Sequence, residues 1–353
     1  MPQMRIGLVG AGVIGRTHAA TIAANQDCTL AAIADPSEAG RALAGELGAA
    51  WYPDLPAMLD GETVHGVIVA TPNDLHLPNA LAAMARGIAV LVEKPVTTTV
   101  AQGEALAAAS LSYGVPVLVG HHRRHNPIVS TAKRIVAEGA LGELATASVL
   151  YAHAKPPEYF TLAWRREPGG GGPVLINLIH EIDLVRFLCG EIASVQAITS
   201  SARRGFAVED CAAVALRLES GALVTISLSD CAASPWSWDL AVQESPSYPP
   251  QPVPVQTHFL CGTKASLALP TLDFWSYDGR PDWFAPIRQQ SLAVARGNPY
   301  QHQLRHFLDV IRGSAQPLVS AADATRTLRA TLAVHQAAAS GQAVDVASSF
   351  GGA

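Results

Sequence analysis

The chain has 353 residues, of which 49% are apolar and 15% charged, with a formal net charge of −5. That length suits one large or two ordinary domains with a well-buried core, and the composition excludes a disordered chain. Without a basic stripe or an apolar run long enough to span a bilayer, neither nucleic acid nor a membrane is an expected partner.

The first apolar run, Arg5–Val9, leads into Val9-Gly10-Ala11-Gly12-Val13-Ile14-Gly15 and then an amphipathic stretch over 13–24. Strand, G-x-G-x-x-G and helix in that order describe a dinucleotide site. Gly10 allows the tight turn, Gly12 lets backbone approach a pyrophosphate, and Gly15 lets the helix pack on the sheet. Gly12, Val13 and Ile14 open the helix, where free N–H groups favour phosphate. A second run, Leu30–Ala34, ends in Asp35, twenty residues past Gly15. A carboxylate there accepts hydrogen bonds from an adenosine ribose and repels a 2′-phosphate, so NAD is favoured over NADP. Ser37 and Arg41 stand close enough to soften that repulsion.

Further apolar runs at Val64–Ala70, Ala89–Val92 and Val115–Val119 alternate with helical patterns at 37–48, 74–86 and 98–112. Continuous apolar strands separated by helices predict a parallel, doubly wound sheet. Its ligands gather at the carboxyl ends of the strands. Thr71-Pro72-Asn73, followed by His76, stands at one such end, although the same residues would serve as a plain helix cap. Glu93-Lys94-Pro95 stands at the next, where a lysine would exchange a proton with an alcohol or carbonyl oxygen or would simply lie at the surface.

Beyond residue 124 the rhythm changes, and the expected boundary divides 1–124 from 125–353. A helix is expected over 127–138, a strand over 143–153, a helix over 176–188, and mostly strands from 191 to 276. Leu216–Val224 reads as a hairpin turning at Ser220-Gly221. This half reads as an α+β domain with an open, mostly antiparallel sheet. Closing helices at 299–313 and 321–340 are free to fold back on either domain, and the tail from Ser348 reads as frayed. The proline-rich segment 244–256 reads as a surface loop, or else as an arm that contacts a neighbouring subunit or covers the substrate. The five cysteines (Cys28, Cys189, Cys211, Cys231, Cys261) lack Cys-x-x-Cys spacing, so neither a zinc knuckle nor a disulfide framework is expected. The first strand begins close to Met1, leaving no room for a signal peptide, and a reducing cytosol is the expected location.

The glycine motif, Ala70-Thr71-Pro72-Asn73 with His76, and Glu93-Lys94-Pro95 together resemble the Gfo/Idh/MocA oxidoreductase family over nearly the whole chain. Gly120–Pro127 resembles the family's exit from the Rossmann domain. Trp164-Arg165, Gly169–Gly172 and His180 resemble its second-domain signature. The resemblance implies an N-terminal Rossmann domain, a C-terminal α+β domain, and dimer or tetramer contacts through the second sheet. It assigns Lys94 and His180 to catalysis. Many relatives carry an aspartate four residues before the histidine; Ile176 stands there, with Asn177 beside it. Asp183, one helical turn after His180, is placed to orient it or to bind a substrate hydroxyl.

The reaction expected is reversible hydride transfer between nicotinamide and a secondary alcohol or ketone of a sugar, cyclitol, sugar acid or similar polyol. Lys94 or His180 would exchange the hydroxyl proton, with Glu93 positioning Lys94. Positive charge on oxidised nicotinamide would lower the lysine pKa. His122 and Arg124 are candidates for the substrate mouth. Tyr159, Phe160, Trp164, Trp236 and Trp238 are candidates to line a pocket, since aromatics with polar tips suit a sugar, although each would serve equally as core. Arg165 and Arg166 offer a fork for a carboxylate or stand as plain surface charges. His121, His122 and His125 do not form a sharp metal motif, and no metal is expected. The competing readings are an NAD-dependent glycosidase using transient oxidation and elimination, and a non-catalytic nicotinamide-binding sensor.

Overall fold

A computed structural model describes residues 3–243 and 248–350. It divides into two compact units. One comprises 1–125 and 298–328, the other 126–297 and 329–353.

The first unit carries six parallel strands: β1 (Met4–Val9), β2 (Cys28–Ala34), β3 (Ala50–Tyr52), β4 (Gly66–Val69), β5 (Ala89–Val92) and β6 (Val117–Val119). Their order is β3-β2-β1-β4-β5-β6, the dinucleotide-binding arrangement in which strand order reverses between β1 and β4. β4 and β5 are buried at every residue, as the continuous apolar runs require of a sheet covered on both faces. Helices α1 (Val13–Ala23), α2 (Glu38–Glu46), α3 (Leu55–Gly61), α4 (His76–Met84) and α5 (Val100–Tyr113) alternate with the strands. Ser37, Asp54 and Thr99 cap α2, α3 and α5 by accepting N–H bonds, which fixes where those helices start. The short pieces β3 and α3 carry too few residues to show a periodic pattern in the sequence.

The second unit begins with α6 (Pro127–Ala137) and β7 (Leu144–Ala152). A π-helical turn, Val174–Leu178, then leads into α7 (Ile179–Cys189). β8 (Ile192–Ser200), β9 (Cys211–Leu218) and β10 (Leu223–Ser229) follow, then the short α8 (Trp238–Val242). β11 (His258–Gly262), β12 (Ala265–Leu269), β13 (Asp273–Tyr277) and β14 (Ile287–Ser291) complete most of a nine-stranded sheet. α9 (Pro299–Ile311) returns to the first unit. α10 (Ala321–Ser340) starts there and ends in the second, which β15 (Val344–Asp345) closes.

The sheet runs β14-β13-β12-β11-β7-β10-β9-β8-β15 and is antiparallel except where β7 and β10 pair parallel. β9 and β10 alternate exposed and buried residues, the signature of a sheet with one covered face. The buried face (Val149, Val214, Ile226) packs on Leu178 and Ile182 and on Ala333 and Val334 of α10. The hairpin turn forms at Ser220-Gly221, and Gly221 takes the positive φ of 89° that a turn there needs. Of the proline-rich segment, 244–247 lie outside the described residues, as do 351–353 of the tail. Among the described residues, no helix is long and apolar enough to cross a membrane.

Candidate active site

The carboxyl ends of β1 and β4 meet at the reversal point of the first sheet. Gly10 follows β1 with φ +93°, a conformation L side chains rarely adopt, and a Cβ there would sit 2.5 Å from the Ala70 carbonyl oxygen. A Cβ on Gly15 would lie 2.1 Å from the Gly10 oxygen, so helix and turn pack on bare backbone. Gly12 differs: nothing lies within 4 Å of where its Cβ would be. It begins α1 without a side-chain cap, and Val13 beside it is 79% exposed, while Ile14 is half-buried. The turn thus leaves open space in front of uncapped helix N–H groups, where an anion is stabilised.

Asp35 sits past the end of β2. One oxygen accepts the Ala11 N–H at 2.7 Å, and the other accepts from the Ser37 N–H and hydroxyl. Burial pushes its carboxyl up, but the Ser37 and Ala11 hydrogen bonds and the Arg16 charge outweigh that and hold it below the usual range. Past β4, the Thr71 hydroxyl is buried without a hydrogen-bond partner, a cost that a bound polar group would relieve. Pro72 is exposed and Asn73 half-buried, and no side-chain cap bond forms at the short turn they open. Open space at Gly12, an uncapped helix start, an ionised Asp35 and an orphaned Thr71 hydroxyl fit a dinucleotide.

The Glu93-Lys94-Pro95 turn follows β5. Glu93 is buried, with one carboxylate oxygen 2.7 Å from His18 Nε2 and the other accepting the Lys94 backbone N–H at 3.1 Å. Burial raises the Glu93 carboxyl. The His18 hydrogen bond, reinforced by the His18, His122 and Lys94 charges, outweighs it and holds the group below its ordinary value. Gly120 makes room, since a Cβ there would meet the Glu93 carboxyl carbon at 2.8 Å. His76 braces the same turn from beneath: Nδ1 lies 2.8 Å from the Pro95 carbonyl and Nε2 3.1 Å from that of Thr71. Burial holds the His76 pKa below its usual range, so a neutral ring donates one N–H between these two acceptors. Lys94 itself is half-buried.

Behind the turn, Tyr300 of α9 stacks on His122 at 4.4 Å between centroids and presents an edge contact to His18 at 5.8 Å. Arg124 is buried and paired with Asp323 at 2.6 Å. Among the described residues His121, His122 and His125 do not form a group with metal-ligand spacing.

In the second unit, the π-helical turn sets Asn177. Its Oδ1 accepts from Lys155 Nζ at 2.6 Å, and its amide donates to the Tyr151 hydroxyl at 2.6 Å. Tyr151 donates in turn to Asp239. Lys155 is buried, 3.6 Å from Asp230, which also holds Arg204 at 2.9 Å. Glu209 accepts the Val174 N–H at 2.9 Å and fixes the start of the turn. His180 and Asp183 are both buried on α7. Arg165 donates to the Tyr159 carbonyl and lies 3.8 Å over that ring, while Trp164 is 48% exposed. Trp238, expected to line a pocket, is a fully buried core residue packed edge-on to His258. Burial pushes the Tyr159 hydroxyl pKa up.

Lys155, Tyr151 and His18 were not foreseen. His18 lies three residues after Gly15, one helical turn on, and could have been read as facing the sheet. Nothing in the sequence around Lys155 distinguishes it.

Residues 4–121 match the model of an oxidoreductase family with an NAD-binding Rossmann fold, and residues 129–267 match the Gfo/Idh/MocA C-terminal domain. Inositol 2-dehydrogenase 4 of Saccharopolyspora erythraea is 33% identical over 233 residues, covering 64% of this chain and 67% of that protein. The 1,5-anhydro-D-fructose reductase of Ensifer adhaerens is 28% identical over 97% of this chain and 98% of its own length. The fold matches the WlbA dehydrogenase from Bordetella pertussis, solved with NADH and UDP-GlcNAcA, with a TM-score of 0.78 at 23% identity over 97% and 98% of the two chains. The two matches together cover most of the chain, and this chain belongs to the Gfo/Idh/MocA oxidoreductase family.

Proposed function

We propose that the protein interconverts a secondary alcohol and a ketone on a sugar, cyclitol or similar polyol, with Lys94 as the proton-exchanging group. The observation that carries this is the Glu93-Lys94-Pro95 turn: a lysine at a strand end of a Rossmann sheet, its backbone tied to a buried carboxylate that His18 grips. The names of the inositol dehydrogenase and anhydrofructose reductase relatives support the substrate class.

The residues to hold the cofactor are the Gly10–Gly15 turn with Val13 and Ile14, Asp35, Thr71, Pro72 and Asn73. His76 and Glu93 act there as braces. Bound nicotinamide supplies the hydride acceptor or donor. The chain supplies the rest. Lys94 accepts the hydroxyl proton at Nζ as the carbon is oxidised and returns it in reduction. Asn177, His180 and Asp183 bind substrate hydroxyls, and Lys155 fixes the Asn177 amide so that its orientation is set before substrate arrives. Tyr159, Trp164 and Arg165 form an aromatic and cationic patch suited to a sugar face or carboxylate, with His122 and Arg124 as further contacts. Asp35 favours NAD over NADP. The exposed face of the nine-stranded sheet, where Ile198, Ala213, Ser227 and Leu150 stand side by side, supports a homodimer or homotetramer built through that sheet.

The test is reduced-nicotinamide absorbance with NAD and NADP separately, across sugars, cyclitols, sugar acids and cyclic diols. Turnover with one substrate class, abolished in Lys94→Met while NAD still quenches protein fluorescence, is the expected result. Cleavage of a glycoside without net reduction would replace this reading with an eliminating glycosidase. Undiminished turnover in Lys94→Met, with His180→Ala inactive, would move the proton to His180.

A further inference from the structure

The β9–β10 hairpin brings together two thiols that are twenty residues apart in sequence. Cys211 begins β9 opposite Ser229, and Cys231 follows two residues after Ser229, leaving the sulfurs 3.7 Å apart. Asp210 completes a group of three donors whose ligand atoms all lie within 4.8 Å of one another. We propose that Asp210, Cys211 and Cys231 form a binding site for one thiophilic d10 cation of the zinc class.

Three observations carry this. First, two thiolates bound tetrahedrally at a metal–sulfur distance of roughly 2.3 Å are about 3.8 Å apart, so the sulfurs already stand at the edge length the cation needs. A disulfide would require them to close to about 2.05 Å.

Second, Asp210 is 1% exposed and half-used. Its Oδ2 accepts two backbone N–H bonds, from Arg203 and Arg204, each at 2.8 Å. Its buried Oδ1 has no hydrogen-bond partner. A carboxylate oriented through one oxygen and vacant at the other is the arrangement of a metal ligand with its supporting shell, and an orphaned buried acceptor is otherwise costly.

Third, Ser229 Oγ already accepts the Cys231 and Ala232 N–H groups while lying 3.3 Å from one sulfur and 3.4 Å from the other. Its remaining hydrogen can therefore point at a thiolate. Thiols coordinated to such a cation ionise outright. Two S–H protons leave to solvent as two sulfur–metal bonds form, and a water completes the fourth position. The site adjoins Asp230, which pairs with Lys155 and Arg204.

Titration of the reduced full-length protein with cobalt(II) tests this. One equivalent should produce a near-ultraviolet thiolate-to-metal band, zinc(II) should displace it, and about two protons should be released per metal. The band should vanish in Cys211→Ser and Cys231→Ser and weaken at least tenfold in apparent affinity in Asp210→Asn, while Cys261→Ser leaves it unchanged. Cys211→Ala, with the wild-type circular dichroism spectrum, separates loss of a ligand from loss of fold. Absence of the band, its survival in both serine variants, or an intact mass short of two hydrogens in the protein as isolated would overturn the proposal.

Discussion

Lys94 owes its placement to Glu93. The carboxylate holds the lysine backbone N–H through one oxygen and His18 through the other, so Glu93 positions rather than reacts. Glu93→Gln keeps the shape and removes the charge. It should lower kcat by about 10- to 100-fold with little change in substrate KM, and Glu93→Asp should restore little because a shorter side chain cannot span both partners. The same variant has a stability signature. The Glu93 pKa is depressed by folding, so its contribution is complete above the ordinary value of 4.5 and fades as pH falls through the lower folded value. Acid unfolding of Glu93→Gln should therefore be less steep below pH 4.5, measured by denaturant melts at successive pH values. At Asp35 the deciding property is charge. An ionised carboxylate repels a 2′-phosphate, and Asp35→Ser should reduce the NAD over NADP preference in kcat/KM by on the order of tenfold, worth about 1.4 kcal/mol. Asp35 and Lys94 were legible in the sequence because each terminates an apolar strand. His18 and Lys155 were not, because their partners Glu93 and Asn177 lie 75 and 22 residues away.

The first turn of α1 separates two jobs that its glycines share in the sequence motif. Gly15 is there for packing: a Cβ would lie 2.1 Å from backbone oxygen, and backbone cannot step aside as a flexible side chain can. Gly15→Ala should destabilise the protein by about 1–3 kcal/mol. Gly12 is in the extended region, φ −67° and ψ −168°, with nothing where its Cβ would go. Gly12→Ala should melt within a degree or two of the parent yet bind NAD at least tenfold more weakly, because the methyl enters space a phosphate needs. Thermal melts with and without NAD distinguish the two, and equal loss of stability in both variants would refute the division. Elements with a long periodic pattern were legible in sequence at nearly their observed limits: 299–313 was expected where α9 spans Pro299–Ile311, and 321–340 where α10 spans Ala321–Ser340. The π-helical turn at Val174–Leu178 was not legible. It is a change of hydrogen-bond spacing inside an apolar helical pattern, and the pattern does not encode it. That turn nevertheless decides which side chain meets Lys155, since Asn177 lies within it.

At the scale of the whole molecule, strand identities could be read in the sequence but strand neighbours in the second unit could not. Local alternation says that β7 is half-buried; it does not say that β7 pairs with β10 in parallel and β11 in antiparallel fashion. Hairpin register is what turned two scattered cysteines into a pair, so counting Cys-x-x-Cys spacings missed them. The acid response of the first unit is a property of similar origin, set by long-range burial. His125 stands against His306, with neither ring nitrogen hydrogen-bonded. Burial first, then the charges of His306, His122 and Arg124, push its pKa down from 6.5 to about 3. An unfolded chain protonates this histidine below pH 6.5 and the folded one does not, so the folded state loses stability as pH falls from 6.5 toward 3. At pH 5 that loss is on the order of 2 kcal/mol relative to pH 8. Replacing the ring by one of similar shape that cannot take a proton removes the loss without opening a cavity. His125→Phe should unfold at nearly the same denaturant midpoint as the parent at pH 8 and at a clearly higher midpoint at pH 5. If the two proteins instead keep a constant difference across that range, the histidine is already paying its protonation cost in the folded state, and the burial argument fails.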